Sequence, residues 1–158
     1  MDIDFLIRGG ALVTVLGTGV VYGTDVFCAM AIRPALAHVG DDALVAVMGQ
    51  VHRYGDRRMP LPGVLGIAGA VVPTVAGAVA GHWAQTVAAG TASVALLMWL
   101  VLYTRVSAPI NRQLTAAAEA GRTLTNGRAL QAKWESIITA RAVLQGVAVA
   151  AACAGLLS

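Results

Sequence analysis

Between Leu61 and Trp83 the chain runs for 23 residues without a Lys, Arg, Asp or Glu. Coiled as an α-helix, that stretch is about 34 Å long, enough to cross a hydrocarbon core of about 30 Å. In such a core no water meets the backbone, so a spanning segment must satisfy its own N–H and C=O groups as a helix. Three further apolar stretches of similar length cover about residues 9–33, 85–104 and 137–157. Hydrophobic residues make up 58% of the 158 residues and charged ones 12%. Soluble domains carry about 25% charged residues, and this chain has too few to coat a soluble exterior. The expected fold is all-α: a single four-helix transmembrane bundle over residues 1–158, with short interfacial helices in its two charged loops.

The first span reads Gly9–Thr24, then Asp25, then Val26–Ile32, and Arg33-Pro34 ends its strongly apolar part, with about one more turn of helix toward His38. In the first loop Val45, Met48 and Val51 mark an apolar stripe at helical spacing, so an interfacial helix is expected over about 42–56. Pro60-Leu61-Pro62 restarts the chain as the second span, and Pro73 is expected to kink it. A tight turn near His82–Gln85 joins it to the third span, with Trp83 and Tyr103 suited to the two membrane interfaces. In the second loop Pro109 starts a short helix through Ala120, Thr125-Asn126-Gly127 breaks it, and the last helix begins near Arg128.

The basic residues set the expected sidedness. Arg33, Arg53, Arg57 and Arg58 fall in the first loop, and Arg105, Arg112, Arg122, Arg128 and Lys133 in the second. Both loops are therefore expected on the cytoplasmic side of the cell membrane, with both termini extracytoplasmic. The net charge of +3 is explained by lipid headgroups as partners rather than by nucleic acid. Met1-Asp2-Ile3-Asp4 is acidic, unlike the basic start of a secretory signal, so the first span is expected to stay in place. Cys28 and Cys153 both sit in apolar segments and offer neither a metal pair nor a disulfide framework. Gly19 with Gly23, and Gly77 with Gly81, have the GxxxG spacing that lets helices approach closely, within the bundle or between protomers of a homo-oligomer.

Few polar residues lie deep enough to carry chemistry. Asp25 stands about 12 Å along the helix from Arg33, and its natural partner is Arg141, about one turn inside the last span. The pair reads either as an ionic lock on helix register or as a substrate-facing acid or base. His52 and Asp56, four apart, share a helix face; a histidine oriented by a carboxylate is a general base, and two such residues are also two metal ligands lacking a third, for which His38 and Asp25 are the only candidates. The alternative is a solvated interfacial helix with arginines at headgroups. Asn111 either hydrogen-bonds a ligand or caps local backbone. His82 reads as an interface residue. No Gly-rich phosphate loop, CxxC or HExxH is present.

Taken in order, these segments resemble the anthrone oxygenase-like integral membrane family over most of the chain. Arg33-Pro34-Ala35-Leu36 is similar to that family's "PAL" helix end. Ser107-Ala108-Pro109-Ile110-Asn111-Arg112-Gln113-Leu114 is similar to its "VPxN" segment, and Trp134 with Arg141 to its "W…R" entry into the last helix. Many relatives carry Asn-His shortly before that arginine, where this chain has Ile138 and Thr139. The resemblance implies oxidation of a hydrophobic phenolic substrate, an anthrone, to an anthraquinone by molecular oxygen. His52, assisted by Asp56, would take a proton; Asn111 and Arg141, the latter oriented by Asp25, would hold the oxyanion. No cofactor is expected, haem or copper on His38 and His52 being the alternative. The competing reading is a non-catalytic membrane module: an assembly subunit or a lipid or small-molecule binder.

Overall fold

The computed structural model describes residues 3–158, so Met1 and Asp2 of the acidic start lie outside the described residues. The chain folds into five helices: α1 (Ile3–Leu36), α2 (Asp41–Arg58), α3 (Pro60–Ala80), α4 (Trp83–Glu119) and α5 (Gly127–Leu157). All but α2 are long and apolar enough to cross a membrane. The four long helices close a ring in which α1 packs on α3, α3 on α4, α4 on α5 and α5 on α1. Polarity runs inside out. Leu16, Val75, Val79 and Val94 point outward at 59–81% exposure, while Thr14, Thr18, Asp25, Ser93, Arg141 and Gln145 are buried. Such a surface is stable against hydrocarbon and costly against water.

Helix α1 begins at Ile3, ahead of the expected Gly9, and continues through Arg33-Pro34 to Leu36. Proline lacks an N–H and its ring collides with the carbonyl four residues back. The chain avoids both costs by widening into a π-turn over Cys28–Ile32, where the Arg33 N–H donates to the Cys28 carbonyl. The same device operates in α4. A π-turn over Tyr103–Ser107 precedes Pro109, and the Ala108 N–H donates to the Tyr103 carbonyl. The separate helix expected from Pro109 is therefore an extension of the third span. Helix α3 passes through Pro73 to Ala80 and ends at Gly81, whose φ of 77° makes the left-handed cap that glycine supplies. Trp83 opens α4 instead of closing α3. Helix α5 is interrupted by a turn between Glu135 and Ile138, at the depth expected for entry into the span.

Close contact between the spans α1 and α3 uses glycines other than those expected. A Cβ built on Gly17 would lie 2.7 Å from the Pro62 carbonyl oxygen, and one on Gly69 2.7 Å from the Thr14 nitrogen. Gly10 and Gly66 are equally tight, against Pro73 and Thr18. Helices α1 and α3 thus meet backbone to backbone along this seam. Gly19 and Gly23 meet nothing within 4 Å, so that GxxxG pair packs no helix of this chain. Gly77 lies against Thr86 at the α3–α4 turn.

Below the ring, α2 lies on the Ala108–Glu119 extension of α4, and the end of α1 and the start of α5 complete a second, smaller bundle. Leu44, Val45, Met48, Ile110, Leu114 and Trp134 form its core. Arg128 ties the two loops together. Its guanidinium donates to Asp41 at 2.6 Å and to the terminal carbonyls Val39 at 2.6 Å and Leu36 at 3.3 Å. One side chain thus serves carbonyls at and just beyond the end of α1 and a carboxylate at the start of α2.

Candidate functional site

The seam between the membrane ring and the lower bundle holds a cavity of about 240 Å³. Asp25, His52, Asp56, Asn111 and Arg141 all line it, although they come from four different helices. The exposed lining residues Thr24, Val51 and Val64 bring it to the outer surface where α1, α2 and α3 meet. Drug-sized ligands occupy pockets of about 300–1,000 Å³, so the space fits a more compact molecule.

Asp25 and Arg141 pair as expected, with Nη2 to Oδ1 at 2.9 Å and both side chains almost fully buried. The second Asp25 oxygen accepts from Gln145 Nε2 at 2.5 Å, so neither carboxylate oxygen is free. Arg141 Nη1 donates to Ser107 Oγ at 2.7 Å. The guanidinium lies 5.9 Å from the Trp99 ring, 5.8 Å from Tyr103 and 5.4 Å from Trp134, a three-sided aromatic cage at cation–π distance. Its Nε–H is buried without a hydrogen-bond partner among the described residues.

The two π-turns sit at this level of the bundle. Wide turns of this type recur where a helix must re-aim side chains. Trp99, Tyr103, Ser107 and Asn111 follow one another at intervals of four. On a helix of 3.6 residues per turn that spacing drifts by about 40° per step. The wider turn over Tyr103–Ser107 absorbs the drift, and all four side chains reach the site.

The second group differs from expectation in its wiring. His52 and Asp56 do share the face of α2 that lines the cavity. Asp56, however, does not orient the imidazole by a hydrogen bond. Its Oδ1 accepts from Tyr103 Oη at 2.9 Å and from Asn111 Nδ2 at 2.8 Å. Asn111 therefore holds a carboxylate rather than capping backbone. His52 lies against Trp134, with ring centroids 5.2 Å apart. Burial in this apolar setting pushes its pKa down to about 4; the nearby Asp56 charge and the Gln131 side chain oppose the shift without cancelling it. His52 is thus a neutral imidazole at pH 7.

His38 is exposed at the end of α1, away from the cavity lining that contains His52. Among the described residues no three His, Cys, Asp or Glu side chains come together as a metal-binding group. His82 stands at the opposite turn, 3.5 Å from Asp4. Cys28 and Cys153 are both free thiols.

Three partners were missed by sequence reasoning: Ser107, Gln145 and Tyr103. Gln145 is four residues after Arg141 and shares its face, a signal present in the sequence. Ser107 and Tyr103 become visible only once α4 is known to run unbroken past Arg105. The fold and site define a small multi-pass helical membrane protein with a largely apolar cavity, into which a few polar side chains project, near one end of its spans. No family model, curated protein or solved structure matches this chain.

Proposed function

We propose that this protein binds a compact, hydrophobic phenolic molecule in the cavity and oxidises it in the manner of an anthrone oxygenase. The observation that supports the reading is convergence. The five polar residues singled out from the sequence, scattered over 117 positions from Asp25 to Arg141, line one largely apolar cavity. In this reading a basic group in the wall removes a proton from the anthrone carbon, leaving an enolate whose electron pair reacts with dioxygen. One oxygen atom is kept as the new carbonyl, and the other leaves as water with the two hydrogens lost. Arg141, fixed by Asp25 and Ser107 and with its Nε–H unpaired, stabilises the negative oxygen. The substrate enters sideways from lipid past Val64. By the positive-inside rule, the cavity and the two basic loops face the cytoplasm and both termini lie outside.

Double engagement of the Asp25 carboxylate supports a narrower second reading, in which the pair only locks the bundle around a bound lipid or small molecule. Turnover separates the two. Purified protein in micelles is given anthrone in air, and quinone formation and oxygen uptake are followed together. Wild type should exceed protein-free micelles by about 100-fold, the lower range for general-base catalysis. A His52→Ala, Asp56→Asn double variant should fall to the micelle rate. Equal rates for wild type and micelles alone refute the oxidation.

A further inference from the structure

The cavity has an end made of hydrogen-bond acceptors. Asp56 uses one oxygen for both of its hydrogen bonds, from Tyr103 and Asn111, and Oδ2 makes none among the described residues. No Lys, Arg or His forms an ion pair with it there: Arg57 and Arg58, which follow it on α2, are exposed, and Arg53, three residues back, pairs with Glu119 at 2.9 Å. Asn111, 4% exposed, donates one amide hydrogen to Asp56 and leaves Oδ1 buried without a partner among the described residues. Both residues line the cavity. A buried acceptor left unpaired is costly, and a carboxylate beside apolar walls more so.

The charges of the lining do not cancel. Asp25 and Arg141 neutralise each other, and Asp56 remains as an uncompensated negative charge. An anionic ligand is repelled. A cationic one meets the Arg141 guanidinium, which lies 5.8 Å from the same Tyr103 ring that anchors Asp56. A neutral O–H fits both constraints.

We infer that the ligand is a neutral, compact aromatic bearing a hydroxyl, and that Asp56 Oδ2, aided by Asn111 Oδ1, receives that hydrogen. The inference rests on the cavity being the ligand site proposed above, and it makes Asp56, not His52, the acceptor of the ligand's hydroxyl hydrogen. Bond making is minimal: the hydroxyl proton is shared with Oδ2 and, on full transfer, the electron pair stays on the phenolic oxygen. His52 is then a neutral wall beside Trp134, with Nε2 buried without a partner among the described residues.

Binding without turnover tests it. Four naphthalenes of similar shape are titrated calorimetrically into the detergent-solubilised protein: 1-naphthol, 1-methoxynaphthalene, 1-naphthoate and 1-naphthylmethylamine. Wild type should bind the naphthol at least about tenfold more tightly than the methyl ether, as a hydrogen bond to a charged acceptor requires, and more tightly than the other two. Asp56→Asn should erase the naphthol preference while the ether binds as before. Equal binding of naphthol and ether by wild type overturns the inference and needs no variant. So does tighter binding of the amine, which makes the site a cation site. A protein that prefers naphthol yet leaves anthrone unoxidised refutes the oxidation alone. One that oxidises anthrone without hydroxyl preference refutes Asp56 alone.

Discussion

His52 should make the protein acid-sensitive in a defined window. Its ordinary pKa of 6.5 falls to about 4 in the folded state because the imidazole is buried. A depressed pKa means that the folded chain binds fewer protons than the unfolded one between those values. Stability from His52 is therefore complete above about pH 6.5, declines as pH falls, and is exhausted below about pH 4. With about 1.4 kcal/mol per tenfold change in proton affinity, the full loss is ~3 kcal/mol. At pH 5.5 somewhat under half of that loss should be present, and at pH 4.5 most of it. Because α2 lies outside the spans, its unfolded reference is aqueous. Carboxylates titrate in the same range, so the informative quantity is a difference. Unfolding of wild type and His52→Gln is measured in one detergent at pH 7.5, 5.5 and 4.5. The variant's curve should gain on wild type by those amounts as pH falls. Parallel pH profiles would show that His52 is hydrated in the folded state, and the neutral-wall assignment would be wrong.

Removing one member of the buried ion pair should be far worse than removing both. Asp25→Ala or Arg141→Ala strands a charge and should cost about 3–5 kcal/mol in unfolding experiments, whereas Asp25→Leu with Arg141→Met should recover most of it. If the two single variants are as stable as wild type, the pair holds nothing. Gly66→Val forces α1 and α3 apart, since a Cβ there already meets Thr18; a loss of about 1–3 kcal/mol is expected. Gly19→Val, with open space around it, is the control and should unfold like wild type. Arg128→Ala should expose the Ala37–Gly40 connection, read as faster limited proteolysis there.

Span count and the position of the ionic pair were legible because both follow from solvent physics. A charge such as Asp25 in an apolar run must face inward and find a partner, and Arg141 was the one basic residue at comparable depth. His52, Asp56 and Asn111 lie in the loops, outside the reach of that constraint: the first two were paired by helical spacing, and Asn111 joined them only through the resemblance. Hidden from the sequence was the continuity of α1 and α4 across Pro34 and Pro109. Proline is read as a stop, and only the three-dimensional π-turns show how it was accommodated. That misreading also concealed Tyr103 and Ser107, and with them the true partner of Asp56. Helical spacing placed His52 and Asp56 on one face but carried no information about which of several donors the carboxylate would choose. Which glycines pack within the bundle was hidden for a related reason. Spacing of four marks a face, and not which face meets another helix; Gly10, Gly17, Gly66 and Gly69 do that.

Occupancy of the cavity can be read through its own tryptophans. Trp99 and Trp134 line it, while Trp83 is 67% exposed at the far turn. Anthrone is titrated into a Trp83→Phe protein and emission is recorded, alongside the same protein carrying Gly63→Leu, which crowds the Trp99 ring that lies 3.5 Å from a Cβ at that position. Saturable quenching at one equivalent, weakened at least about tenfold by the added side chain, is the expected result. Quenching that rises linearly with anthrone and is identical in both proteins would mean that the molecule merely dissolves in the micelle, and the cavity would have no claim to be a ligand site.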